Sequence, residues 1–420
     1  MSAEVRVSAP LTQQHGGAEG LSVERFRTMV QDSHVSFLIG AGTPSSFFER
    51  LGDIETALTE LEKLAVPPDE KALVRASIQG YFFQRVVRPN RQLIPLHAAA
   101  AGVVRSYAQF FRTLNHVLLR RRSSLLGKQA NVFTTNIDMT FEVALEQLGI
   151  EVIDGFSGKI RPRFDLGEFG STRYRQTARF ERRSEIPVID LYKLHGSVGW
   201  RVEADGSPGE RIFYDHGLER VGEVAEAYDA AEKDLIPIAS ADGLDVSDLA
   251  AAASSKKLTD AASRFAEAYG TLAIVNPEKS KFATTVLNET YYELIRRLAN
   301  EIEKENSLLL VHGFSFRDEH IRDLILRGAR TNPTLQVVVF CYRRSDRTAY
   351  EALLPEPEVK NGNVLFVTPF APEEGTEELA LDLDRLRDTY FAPLVSDPVP
   401  AADQVIQLDV RVGSEPTPDA

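Results

Sequence analysis

Four short polar clusters in this 420-residue chain hold groups suited to chemistry, and each follows an apolar run of strand character. Gly40, Ala41 and Gly42 close the segment FLIGAG, with Thr43 next. Glycines at a strand end let the backbone approach a phosphate, and a helix beginning there adds free amide donors and a positive dipole end. A tight strand-to-helix turn uses the same residues, and Pro44 suits the first turn of such a helix. The second cluster, FTTNID, presents Thr134, Thr135, Asn136 and Asp138. A buried strand ending in adjacent polar side chains desolvates them unless a ligand faces them. The alternative is that Asn136 or Asp138 caps a helix starting near Met139. The third, KLHGS, holds His195, whose imidazole can act as a general base or hold a hydroxyl. A structural histidine is the competing reading, but strand C-termini are where open α/β sheets bind ligands. The fourth, HGFSFRDEHI, brings Gly313, Ser315, Asp318 and His320. There Asp318 reads as a cap for the next helix and His320 as solvent-facing. Asn276, before Pro277, ends another apolar run and fits a turn.

Alternating elements must position these clusters. Apolar spacing predicts helices over 23–29, 47–64, 70–87, 98–119, 139–147, 284–305, 318–330 and 374–390, with another from 347. Strands are predicted over 35–39, 131–134, 151–153, 188–194, 272–275, 308–311, 335–340 and 364–367. On the helix at 98–119, Val103, Tyr107, Phe110, Phe111, Leu114 and Leu118 form one packing face, and Arg120, Arg121 and Arg122 read as its solvated end. Residues 155–187 read as a long loop. Residues 205–268 are acidic and alanine-rich and read as a helical insertion. This rhythm predicts an α/β fold, doubly wound, with a mostly parallel Rossmann-like sheet. The expected organisation is a flexible arm at 1–20 and one domain at 21–370 carrying the insertion. A tail at 371–420 follows, whose alternating segment QVIQLDVRVG suits an edge strand or a docking segment.

The net charge of −13 gives no global attraction for nucleic acid or anionic lipid, so direct nucleic-acid binding is not expected. One cysteine, Cys341, excludes an intramolecular disulfide, and its place after an apolar run predicts burial. The start of the chain lacks the pattern of a signal peptide, and no apolar run approaches the roughly 18 residues of a membrane span. A cytoplasmic protein is expected. The chain has no HExxH, no clustered Cys/His set, no phosphate-binding GxxxxGK[ST] loop and no GxSxG elbow, and no metal is expected.

In their order and strand-end setting, the four clusters resemble the core of the sirtuin family, over roughly residues 35–370. The resemblance implies that NAD is the ligand and substrate. By this likeness Gly40, Ala41, Gly42 and Thr43 meet the pyrophosphate; the family's serine falls at Pro44, so Thr43 or Ser45 would supply the hydroxyl. Thr135 joins the binding set, Asn136 positions a water or ribose hydroxyl, and Asp138 helps hold the nicotinamide end. His195 acts on the nicotinamide ribose, Asn276 lines the adenosine side, and Gly313 and Ser315 contact the adenine ribose. A single cysteine cannot form the four-cysteine zinc site of protein-deacylating sirtuins. Within the family the chain resembles the bacterial sirtuin-like NAD hydrolases of antiphage defence, which release nicotinamide and ADP-ribose and deplete NAD, and the lack of a zinc site fits that likeness. The resemblance also implies a homo-oligomer and, as in some relatives, a HerA-type DNA-translocating ATPase partner. Two alternatives stay open: an ADP-ribosyl transferase or zinc-free deacylase, and a non-catalytic module that binds NAD or ADP-ribose.

Overall fold

The structure is a computed structural model that describes residues 18–50, 53–121, 126–176, 178, 183–204, 210–275, 285–355, 359, 361–372 and 376–396. Fourteen strands are present in it. They are β1 (Ala18–Glu19), β2 (His34–Ile39), β3 (Gln129–Thr134), β4 (Glu151–Ile153), β5 (Phe156–Ser157), β6 (Arg163–Phe164) and β7 (Arg173–Arg175). Then come β8 (Ser184–Ile186), β9 (Val188–Lys193), β10 (Trp200–Ala204), β11 (Glu210–Tyr214), β12 (Ser307–His312), β13 (Gln336–Phe340) and β14 (Val364–Pro369). The principal sheet runs β1-β14-β13-β12-β2-β3-β9-β4. Seven of its strands are parallel, and β1 closes one edge antiparallel to β14.

The central strands are apolar on both faces, as a parallel sheet covered on both sides requires. Alternate side chains separate into two cores. Phe37, Ile39, Leu308 and Leu310 enter one, and Leu38, Phe133, Leu309 and Val311 the other. Against the first face lie α1 (Val23–Asp32), α2 (Ile54–Lys63), α3 (Pro68–Phe82), α4 (Ala101–Leu119) and α5 (Thr140–Leu148). The six-residue apolar face expected of α4 is buried throughout, and Phe110 meets Phe37 of β2 edge-on at 5.7 Å. Three further helices, α6 (Glu219–Ala231), α7 (Val246–Ala253) and α8 (Asp260–Tyr269), pack on that layer, with Tyr228 and Phe265 around Phe83. The second face is covered by α9 (Thr285–Glu303) and α10 (Glu319–Thr331), followed by α11 (Asp346–Leu353). Among the described residues no helix is long and apolar enough to cross a membrane.

The α/β, mostly parallel arrangement is as expected, with several local differences. Residues 18–19, assigned to the arm, form the edge strand β1. The loop at 155–187 contains two strand pairs, β5–β6 and β7–β8, and the first joins the hairpin β10–β11 in a small antiparallel sheet. That hairpin occupies the predicted start of the helical insertion, because Ile212 and Phe213 bury themselves across from the β10 backbone. The helix predicted over 47–64 begins only at Ile54, while Pro44 O accepts from Phe47 N and Phe48 N in one isolated turn. A single turn without continuation does not repay helix nucleation. The strand predicted over 272–275 does not enter the principal sheet; Ile274 makes one bridge to Gly196. Near the C-terminus, helix begins at Leu383 rather than 374. Arg121 is not a solvated helix end: it is buried and donates to the carbonyls of Val30, Ser33 and Gly127. Cys341 is buried, as expected, and so is Trp200. Arg122, Asn276, residues 1–17 and the segment QVIQLDVRVG lie outside the described residues.

Candidate active site

The register of the sheet brings the strand ends level. His312 of β12 pairs with Ile39 of β2, Ile39 with Thr134 of β3, and Thr134 with Lys193 of β9. The chain leaves β2 for β3 on one side and returns to β12 on the other, so β2 marks the topological switch point. Ligands of open α/β sheets bind outside the strand ends at such a point. All four sequence clusters emerge there.

The loops after β2 and β12 touch backbone to backbone. Gly40 N donates to His312 O at 3.0 Å and Gly42 N to Gly313 O at 2.9 Å. A side chain on Gly40 would come within 2.5 Å of Gly313 O, and one on Gly313 would overlap Thr43. The glycines therefore serve close loop contact, and no helix starts behind them to offer its dipole. This corrects the helix N-terminus expected at the phosphate turn. Thr43 is also engaged: its hydroxyl lies 2.8 Å from His312 Nδ1. His312 Nε2 is 3.1 Å from Leu381 O, a pure acceptor, so Nε2 carries the hydrogen and Nδ1 accepts from Thr43. Burial lowers the pKa of His312 and keeps it neutral. Ala41 is half-buried, and Ser315 is exposed beyond Gly313, whose φ is +66°. Phe316 is a buried non-glycine residue at φ +58°, a rare conformation for an aromatic residue.

From β3, Thr134 Oγ1 donates to Ile39 O at 2.8 Å and accepts from Asn136 N at 3.0 Å. Asn136 Nδ2 then donates to Gly40 O at 3.2 Å, tying this cluster to the first. Asn136 is buried, and its Oδ1 has no hydrogen-bond partner. Tyr107 of α4 lies beside it; burial first, then the charge of Asp138, raises the pKa of its phenol well above the ordinary value. Asp138 is buried and accepts from Thr140 N at 2.9 Å, but the N-cap of α5 is Met139 and the helix has no side-chain cap, so the capping role weighed from sequence is not met. Thr135 stands half-buried between these groups.

Lys193, at the end of β9, is 2% exposed and donates to the carbonyls of Asn136 and Asp138 while pairing with Glu142 at 3.2 Å. Burial, opposed by Lys193, pushes the Glu142 carboxyl up to about 7. Sequence reasoning did not single out this lysine; a cation closing an apolar strand beside FTTNID was the available signal. Two residues on, His195 is about one-fifth exposed, and its Nε2 lies 3.2 Å from Asp318 Oδ2. Its carbonyl accepts from Val275 N at 2.8 Å, and Gly196, at φ +73°, lets Ser197 N reach Ala273 O. Asp318 also accepts at Oδ1 from His320 N and Ile321 N, capping α10. The local pattern identifies the cap but not the histidine contact. His320 is exposed, as expected.

The contacts close a ring: the Gly40 loop meets the Gly313 loop, Asp318 meets His195, and Lys193 and Asn136 lead back to Gly40. Backbone crowded by glycines, an orphaned buried amide oxygen and a partly exposed imidazole suit a ligand with phosphate, amide and hydroxyl groups. NAD fits that description. A comparison with curated proteins finds no match. A model of the SIR2-like domain matches residues 130–360, which include all but the first residue of β3, the whole of β9 and β12, and three of the four clusters. This match spans more than half of the chain, and with its Rossmann-like sheet the chain belongs to the SIR2-like domain family, a family of NAD-binding domains.

Proposed function

We propose that the chain is an NAD hydrolase that cleaves the nicotinamide–ribose bond to give nicotinamide and ADP-ribose. The observation that supports this reading is the placement of Asn136 and His195 just beyond the paired strand ends Thr134 and Lys193, with Lys193 holding the Asn136 carbonyl and Asn136 Nδ2 bonded to Gly40 O. The loops at Gly40–Gly42 and Gly313 hold the dinucleotide, so its binding energy orients the nicotinamide ribose. Positive charge gathers on that ribose as the bond breaks. Asn136 Oδ1, buried and without a protein partner, stabilises that charge or orients the attacking water. His195 holds a ribose hydroxyl and can take its proton. Asp138 shapes the nicotinamide end, although its carboxylate also serves the first turn of α5.

A single cysteine in the whole sequence supports hydrolysis over zinc-dependent protein deacylation. In this reading the cell uses the enzyme against phage by depleting NAD, and restraint comes from assembly with further copies or with a HerA-type ATPase. The test is nicotinamide release from NAD with no acceptor added, wild type beside Asn136→Ala and His195→Ala. Turnover in the wild type, reduced at least about 100-fold in each variant, is the expected result. Release that requires an acceptor protein would point to ADP-ribosyl transfer. Tight binding without turnover, also after addition of neighbouring-gene products, would point to a binding module.

A further inference from the structure

The His195–Asp318 contact joins residues 123 positions apart and has a defined chemistry. Asp318 Oδ1 accepts two helix amides, His320 N at 3.0 Å and Ile321 N at 3.2 Å, which fixes the carboxylate plane and favours its anion. Oδ2 is thereby held against the imidazole, 3.2 Å from Nε2. A carboxylate anion has no hydrogen to donate, so the hydrogen in this contact belongs to Nε2. In a neutral ring Nδ1 is then a bare acceptor.

We propose that Asp318 is the positioning residue of His195, locking the Nε2–H tautomer so that Nδ1 accepts from a ribose hydroxyl of NAD. The identity of that hydroxyl rests on the NAD-hydrolase reading; the tautomer does not. A neutral imidazole backed by an anion also suits a reaction that builds positive charge on the ribose, where an imidazolium would oppose it. Because Asp318 shares its loop with Gly313 and Ser315, the same contact couples the nicotinamide and adenine ends of the site.

Asp318→Asn separates this role from helix capping. Asparagine caps as well as aspartate, so its oxygen stays on the α10 amides and its NH2 turns toward the ring. A donor there requires a bare Nε2 and moves the hydrogen to Nδ1, the tautomer error that an Asp→Asn change produces in a Ser-His-Asp triad. Ring 15N spectra at pH 8, with the His195 signals assigned by their loss in His195→Gln, read this directly among the eight histidines. The expected result is Nε2–H in the wild type and Nδ1–H in Asp318→Asn, at nearly unchanged melting temperature. Nicotinamide release should show kcat down about 100-fold or more and KM changed by less than about threefold. A wild-type ring carrying its hydrogen on Nδ1, a ring unchanged by Asp318→Asn, or swapped tautomers with kcat intact would each overturn the proposal. If the wild type releases no nicotinamide, also with the neighbouring-gene products added, the hydrolase reading fails while the spectra still decide the tautomer.

Discussion

Asp190 shows how much the buried side chains of this site's scaffold are asked to tolerate. It lies in the middle of β9 with 2% exposure, and its Oδ1 has no hydrogen-bond partner. Burial, and then the neighbouring charge of Glu301, pushes its carboxyl from 3.8 up to about 7. Between those values the folded chain holds a proton that the unfolded chain has released. Stability from this group is therefore complete below about pH 4 and is lost as pH rises through about 7. Glu142, also raised to about 7, adds a loss of the same sign. Asp190→Asn keeps the shape and removes the titration. It should stabilise the protein by on the order of 2 kcal/mol at pH 8 and by little at pH 4. Urea denaturation at the two pH values measures this, and an equal change at both would show that the Asp190 carboxyl does not titrate abnormally. Three residues from Asp190 towards the C-terminus of β9 stands the Lys193 that donates to the carbonyls of Asn136 and Asp138.

Among the elements, the contact between the β2 and β12 loops is the most sterically defined. Gly313 has φ +66° and faces Thr43, whose backbone is fixed by its bond to Gly40 O. Gly149 has a similar φ of +60°, but a side chain there meets nothing within 4 Å. Gly149→Ala should therefore lose only the left-handed penalty, about 1–2 kcal/mol. Gly313→Ala adds overpacking of about 1–3 kcal/mol and should also weaken NAD binding. Equal losses in the two variants, read by denaturant midpoints, would sink the claim of close loop contact. The strands flanking this contact were legible because LLLV in β12 and VVVF in β13 are continuous apolar runs, the mark of a buried parallel strand. The run at 272–275 looks the same, yet its backbone pairs with the His195 turn, a choice set by tertiary position. The hairpin β10–β11 escaped notice because its strands lie in a charged stretch whose burial depends on Phe156 and Phe164 from the preceding loop. Asp318 was legible as a cap because capping is local, whereas its second oxygen reaches His195 across 123 positions.

At the scale of the molecule, the family match and the folding unit do not coincide. The match covers residues 130–360, but β2, which starts at His34, is the strand between β12 and β3. All six of its residues pair with β12, and its last four with β3. A chain of residues 130–360 alone would leave both neighbours with open edges in the middle of the sheet, the arrangement that invites aggregation. It would also lack α4, whose Phe110 and Phe111 cover Phe37 and Phe141, and the C-terminal Phe391, which packs on Phe26, Phe37 and Phe110. Losing several fully buried aromatics at about 3–5 kcal/mol each exceeds the whole stability of an ordinary domain. It would lose the Gly40 loop as well, and with it the partner of Asn136 Nδ2. The expectation is that residues 130–360 expressed alone are insoluble or show no cooperative urea transition, while the full chain unfolds cooperatively. A soluble fragment with a sharp transition and native-like circular dichroism would mean that the sheet can close without β2, and that the switch point is not where the fold is organised.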